Sequence, residues 1–390
     1  MFEKLTLRRS LSGPAITAGD IAEALLFYQK VHLIINHGTL HSLITSIGAE
    51  AIINLLERSD FSAVYCEGTL ATQTTQAWPF NNHSFTEITF TGSESKGSTN
   101  NKKKRLQLQL EGWGLNEKDS KIFAERFLLR VHIKSLASND FIKGGVLKAA
   151  LNDLDDQLYV HEAMRLIISE KIARPLGNFN FRPIKDVDKF YVASDLNYTS
   201  LQKEAQKYES TAEITEAHLL NEILEARSDM TLASHYGSEF YTASNTSQII
   251  RLKYDSLLRR LEIETKEKSH FMDIVAEGRT IKEAIDSGEK SFTEFLNLLD
   301  KAMRFKEWTK NLNPDDKMVK EYLDEVTKKG WLEKLPAKSI RYALGGAIGA
   351  ISAGAGLALS ATDTFFLDKI KLGWRPNHFV DRHLKKFLNN

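Results

Sequence analysis

Apolar side chains recur along this chain in two periods, and the change from one to the other organises it. Ala24 to Ile35 is an apolar-rich run of Leu, Ile, Val, Phe and Tyr that predicts a largely buried strand, ended by Gly38. Thr39 is the expected N-cap of a helix with Leu40, Leu43, Ile44 and Ile47 on one face, continued after Gly48 by Ile52, Ile53, Leu55 and Leu56. Strand signals return from Phe61 to Thr75, and again where Phe85, Ile88 and Phe90 precede Gly92. Leu106, Leu108 and Leu110 alternate with Gln107 and Gln109, which predicts a half-polar strand of a hairpin. Residues 92–104, before it, have too little to bury to offset their ordering entropy and read as a mobile loop.

From Asn116 onward the period becomes helical. Phe123, Phe127, Leu128 and Val131 share a face, and a second periodic run extends from Val146 to Ile172. Pro175 to Pro183 interrupts it, and Val187, Phe190, Val192 and Leu196 predict one more strand returning to the N-terminal sheet. The C-terminal half reads as almost wholly helical. Ser291 with Glu294 forms a capping-box pattern before Phe292, Phe295, Leu296 and Leu299. Asn313-Pro314 opens a helix striped by Met318, Val319, Tyr322, Leu323 and Val326, with Gly330 as its stop. The expected fold class is α+β, in three parts. Residues 1–197 form a mixed α/β domain, residues 198–335 a helical bundle, and residues 336–390 a Gly/Ala-rich apolar helix or hairpin with a basic tail.

Composition narrows the function classes. At 390 residues the chain supports more than one core, and 42% hydrophobic with 26% charged residues excludes a disordered chain. The 52 basic against 51 acidic side chains remove any long-range pull toward nucleic acid. Lys102 to Arg105 is a basic run without aromatic neighbours for base stacking, so no specific nucleic-acid binding is expected. Cys66 is alone, which excludes an intramolecular disulfide and fits a reducing, cytoplasmic setting. Met1 to Ser10 lacks the continuous apolar stretch of a signal peptide.

Candidate chemistry is sparse. His37 and His41, near His32, have the i, i+4 spacing of metal-binding histidines, but no carboxylate completes a ligand set. His161-Glu162 begins a zinc-protease pattern that Arg165 ends by standing where the second histidine belongs. The phosphate-binding glycine patterns are missing, so neither metal nor cofactor is expected. His132, Lys134, Asp140 and Gly144-Gly145 resemble, in one short segment, the HxK-Asp-Gly-Ser pattern of the phospholipase D superfamily. Here Asn139 stands where that family has its acid, Gly-Gly replaces Gly-Ser, and the second His-Lys set that its chemistry requires is missing. No catalytic residue is assigned on this basis.

The most unusual segment is Tyr342 to Thr362, which carries no charged side chain. It is as long as the ~20 apolar residues that span a bilayer. Gly345, Gly349 and Ala353 form one small-residue ridge, Gly346, Ala350, Gly354 and Ala358 a second, and Phe365 and Phe366 follow. The function expected from it is non-enzymatic engagement of a membrane lipid or a protein partner through these nine residues, as in a bacterial defence or stress effector. Membrane association would be peripheral or conditional, and self-association into a homo-oligomer stays open. The alternatives are a soluble helical scaffold with the segment as core, and a hydrolase with a dispersed site.

Overall fold

The computed structural model describes residues 3–9, 15–89, 101–209, 213–260, 273–277, 281–297, 299–300, 341–345 and 378–381. In chain order the elements begin β1 (Lys4–Arg8), α1 (Ala18–Phe27), β2 (Lys30–Ile35), α2 (His37–Ile47), α3 (Ala49–Leu56) and β3 (Phe61–Tyr65). The hairpin β4 (Gly68–Thr75) and β5 (Asn82–Thr89) follows, then α4 (Lys102–Gly112), α5 (Glu117–Arg130) and the short β6 (His132–Ile133). Next come α6 (Gly145–Asp153), α7 (Gln157–Lys171), the hairpin β7 (Phe181–Asp186) and β8 (Lys189–Ser194), α8 (Tyr198–Ala205) and α9 (Glu216–Tyr236). The remainder supplies β9 (Glu239–Ala243), α10 (Ser244–Arg260), β10 (Asp273–Glu277), α11 (Ile281–Asp286), β11 (Arg341–Gly345) and β12 (His378–Asp381).

Two sheets result, and the α+β class holds. The larger has the order β11-β10-β12-β9-β1-β2-β3-β6 and is parallel except for the β10–β11 pair. The smaller, β4-β5-β8-β7, is antiparallel. Alternation along β1 explains how the larger sheet is covered on both faces. Leu5 and Leu7 enter a core shared with α1, α2, α3 and α5, while Thr6 and Arg8 face the opposite way, toward Ser238 and α9.

Local chemistry sets the boundaries. Asn116 caps α5, its side chain accepting from Asp119 N, and the Ser291 and Glu294 capping box forms as the spacing predicts. Gly48, with φ of +82°, separates α2 from α3. The Ala24 to Ile35 run is not one strand. A capping box between Thr17 and Asp20 starts α1, which runs through the first part of that stretch before Lys30 begins β2. The cap of α2 is Asn36 rather than Thr39, whose backbone N–H donates to the Asn36 side chain.

Leu106 to Leu110 is helical, in α4, not a strand. Leu106 and Leu110 are buried one turn apart while Leu108 faces outward, so the i, i+4 pair overrides the alternation. Lys102 to Lys104 open that helix, and residues 92–100 of the expected loop lie outside the described residues. The run from Val146 to Ile172 is two helices, α6 and α7. Phe190 and Val192 lie in β8, which pairs with β5 and β7 in the smaller sheet instead of returning to the larger one, and Val187 is in the turn with φ of +54°.

The C-terminal half adds strands β9 to β12 to its helices, in runs of four or five residues too short to register a period. Through β9, hydrogen-bonded to β1, the larger sheet draws on both sides of residue 197. The helix expected after Asn313 lies outside the described residues.

One long-range contact seals the start of α1. Asp286, the last residue of α11, accepts from Gly19 N at 2.9 Å and from Thr17 Oγ1 at 2.7 Å, and Lys282 Nζ lies 2.6 Å from Asp20 Oδ1. The approach is close enough that a Cβ on Gly19 would fall 2.4 Å from the Lys282 carbonyl oxygen.

Candidate functional site

Chain order brings two connections apart at β1. β1 leads through α1 to β2 on one side, whereas β9, on its other side, leads into α10 on the opposite face. In an open parallel sheet such a reversal leaves a crevice outside the carboxyl ends of the strands. Next to this point, buried between β1, β9 and α9, Arg8 at the end of β1 meets Thr242 in β9 and Glu225 and Asp229, one turn apart on α9.

Arg8 Nη1 lies 2.7 Å from Glu225 Oε2 and 2.9 Å from Asp229 Oδ1, and all three side chains are less than a tenth exposed. Thr242 Oγ1 donates to Asp229 Oδ2 at 3.0 Å. Glu225 Oε1 is buried and has no hydrogen-bond partner among the described residues. Alongside, Asp153 accepts from Arg227 Nε at 2.6 Å, is bound by the Arg227 Nη2, and lies 2.8 Å from Lys253 Nζ. Every residue from Leu219 to Ser234 is buried, so α9 is enclosed all round although charges stud it. Each buried charge carries a large desolvation cost that only its partner offsets, which makes such a density of them informative.

Burial is the main force on these groups. It pushes the Asp229 carboxyl up to about 6, against the pull of Arg8 and with the help of Glu225. It also works against the Arg8 charge, but the two carboxylates overcome it and raise that pKa. For Asp153, burial is likewise overcome, by Arg227 and Lys253, and the carboxyl is held below its ordinary value. Asp229 therefore keeps its proton in the fold over the window from 3.8 to about 6, where an unfolded Asp has released it. The folded state binds more protons there, and this group makes stability fall as pH rises through the window. Asp229→Asn is expected to remove that contribution, read as urea midpoints of both proteins at the two ends of the window. An identical pH slope in both would show that Asp229 does not titrate there.

No protein-family model, curated protein or solved structure matches this chain. Its own geometry has to carry the functional reading.

Of the residues singled out in the sequence, Gly345 is the last residue of β11, while Gly346, Gly349, Ala350, Ala353, Gly354, Ala358, Phe365 and Phe366 lie outside the described residues. Among the described residues, no single helix is long and apolar enough to cross a membrane. α2 and α3 pass that test only as a pair bent by 110°, and Leu40, Leu43, Ile52, Ile53 and Leu55 from them are core. His37 and His41 pack against the Trp113 ring, and His161 stacks on Phe179. No described group of three His, Cys, Asp or Glu side chains could hold a metal.

The phospholipase-like segment runs from β6 through a turn to the start of α6. His132 is exposed, Lys134 Nζ lies 4.9 Å from the Phe141 ring centre, and Asp140 accepts from Ser135 N at 2.8 Å. Cys66 is buried, and burial pushes its thiol up to about 12, far from a reactive thiolate. The ionic cluster was missed because its members lie on three distant elements. The one local signal was Glu225 and Asp229 at i, i+4 with Arg227 between them, in a helix without an apolar stripe.

Proposed function

We propose that this chain is a ligand-binding protein that takes a polar small molecule at the carboxyl ends of β1 and β9. The observation that carries the reading is the buried cluster of Arg8, Glu225 and Asp229 at the reversal of the sheet, with Glu225 Oε1 left as a buried acceptor. An orphaned carboxylate oxygen calls for a donor, so the ligand presents an ammonium, amide N–H or hydroxyl to Glu225. A ligand that binds only the folded chain raises its melting temperature. Amines, nucleosides and amino acids are the compounds to screen in this way. At least one class is expected to stabilise the protein and to lose that effect in Glu225→Gln. A flat response across all three would overturn the reading.

A second reading keeps the charge-free run from Tyr342 to Thr362 as a contact for lipid or a protein partner, carried by a helical C-terminal part and engaged conditionally from the cytoplasm. Its support is the two small-residue ridges and the length of the run. Liposome flotation lost in Ala350→Arg, with an unchanged melt, is the outcome this reading expects. No flotation of the unmodified chain would remove the lipid version.

A further inference from the structure

A second group of orphaned polar atoms sits at the C-terminal end of α9. Tyr236 lies seven residues beyond Asp229 on that helix, about 10 Å along its axis. Its ring lies over the His32 imidazole, with centres 3.8 Å apart. The Tyr236 hydroxyl and His32 Nε2 are both buried and have no hydrogen-bond partner among the described residues, and His32 is only 6% exposed. The other imidazole nitrogen, Nδ1, lies 2.8 Å from Ser62 Oγ on the adjacent strand. With Ser62 donating to Nδ1, the neutral ring carries its proton on Nε2 as a donor. Lys134 reaches the same corner, its Nζ 4.9 Å from the Phe141 ring centre and 5.9 Å from that of Tyr236.

The surroundings are positive. Lys4, Lys134 and His235 all act on His32 and, after burial, add to the penalty for charging it. Lys4 Nζ is held by the Tyr236 carbonyl at 2.8 Å, Asp140 faces Lys134 from its own loop, and Glu87, accepting from Ser135 Oγ at 2.7 Å, is a second carboxylate at this corner. The sheet is open here from the side. β6 pairs only with Val64 and Tyr65, so Ser62 stands exposed on the edge of β3 below it.

We infer that a small oxyanion, a phosphate or carboxylate group, binds at this corner of β2, β3 and β6 through the Lys134 ammonium, the Tyr236 hydroxyl and the His32 Nε2–H. Three donors suit a ligand rich in acceptors, and the Phe141 and Tyr236 rings flank the Lys134 ammonium. The site is separate from the Arg8 cluster, whose orphaned atom is an acceptor, so either assignment can fail without the other.

The test uses the full chain labelled with ¹⁵N at histidine, and the probes are inorganic phosphate and acetate. Either anion is expected to shift the His32 Nε2 resonance saturably, and the tighter of the two names the ligand class. Lys134→Gln should weaken that binding about tenfold, the loss of one charge-assisted hydrogen bond. Tyr236→Phe, which keeps the ring, should weaken it severalfold. It carries the test alone if the Lys134 variant does not fold. A resonance that neither anion moves at tens of millimolar would overturn the assignment, and so would equal shifts in all three proteins. Ordered water would then satisfy the orphaned atoms.

Discussion

Arg8→Met is expected to lower the free energy of unfolding by about 3–5 kcal/mol, because it strips the cation from two buried carboxylates and leaves them without compensation. Glu225 and Asp229 are 1% and 3% exposed, so water cannot replace the guanidinium without local opening. The loss should be read from urea unfolding at neutral pH. The triple change Arg8→Met, Glu225→Leu, Asp229→Leu is expected to recover most of the stability, since an apolar filling of similar volume dispenses with the whole ionic group. That recovery would separate the two uses of the cluster. A stable triple variant that no longer responds to ligand would show that the charges are retained for binding and not for folding. A loss below about 1 kcal/mol for Arg8→Met would mean that water already reaches the pair.

Gly145→Ala should cost about 2–3 kcal/mol. Gly145 has φ of +76°, and a Cβ there would fall 2.1 Å from the Ala137 carbonyl oxygen, a backbone atom that cannot swing aside. The loop it closes is tied at several points. Gly144 N donates to Asn139 Oδ1 at 2.7 Å, Gly145 N to Ile142 O at 2.9 Å and Val146 N to Leu136 O at 2.8 Å. Thermal and urea unfolding of the variant would register the strain, and a cost below about 0.5 kcal/mol would show that residues 135–145 shift as a unit. The glycine pair in the phospholipase-like segment thus has a purely conformational reason.

Elements with a chemical marker at their ends were legible in the sequence. Asn116 and the Ser291 and Glu294 pair announced their helices, and the β-branched runs at Phe61 to Thr75 and around Phe85 announced strands. Thr17 and Asp20 carried the same kind of marker for α1, but the weight of Leu and Tyr after Ala24 drowned it. At Leu106 to Leu110 two periods were satisfied at once, and only packing could choose between them. The candidate site was beyond reach for a different reason. Arg8 and Glu225 are 217 positions apart, and what marks them as a pair is shared burial, which no local pattern encodes. The polar corner at His32 was half visible, since the histidine drew attention as a metal ligand, while its ring partner Tyr236 lies at the C-terminal end of the enclosed helix α9.

The seal on α1 also decides where this chain can be cut. Asp286 reaches back 267 positions to take the Gly19 amide, and Asp300 lies 2.5 Å from Arg58 near the start of β3. A shortened protein ending at Arg260 would look complete by its helices yet expose the first turn of α1 and leave Asp20 buried without the Lys282 ammonium. Expression boundaries drawn from sequence distance would therefore sever a partner of the first helix, and a shortened form meant for crystals or NMR should keep residues 281–300 and also β12, which runs to Asp381 and joins β9 to β10.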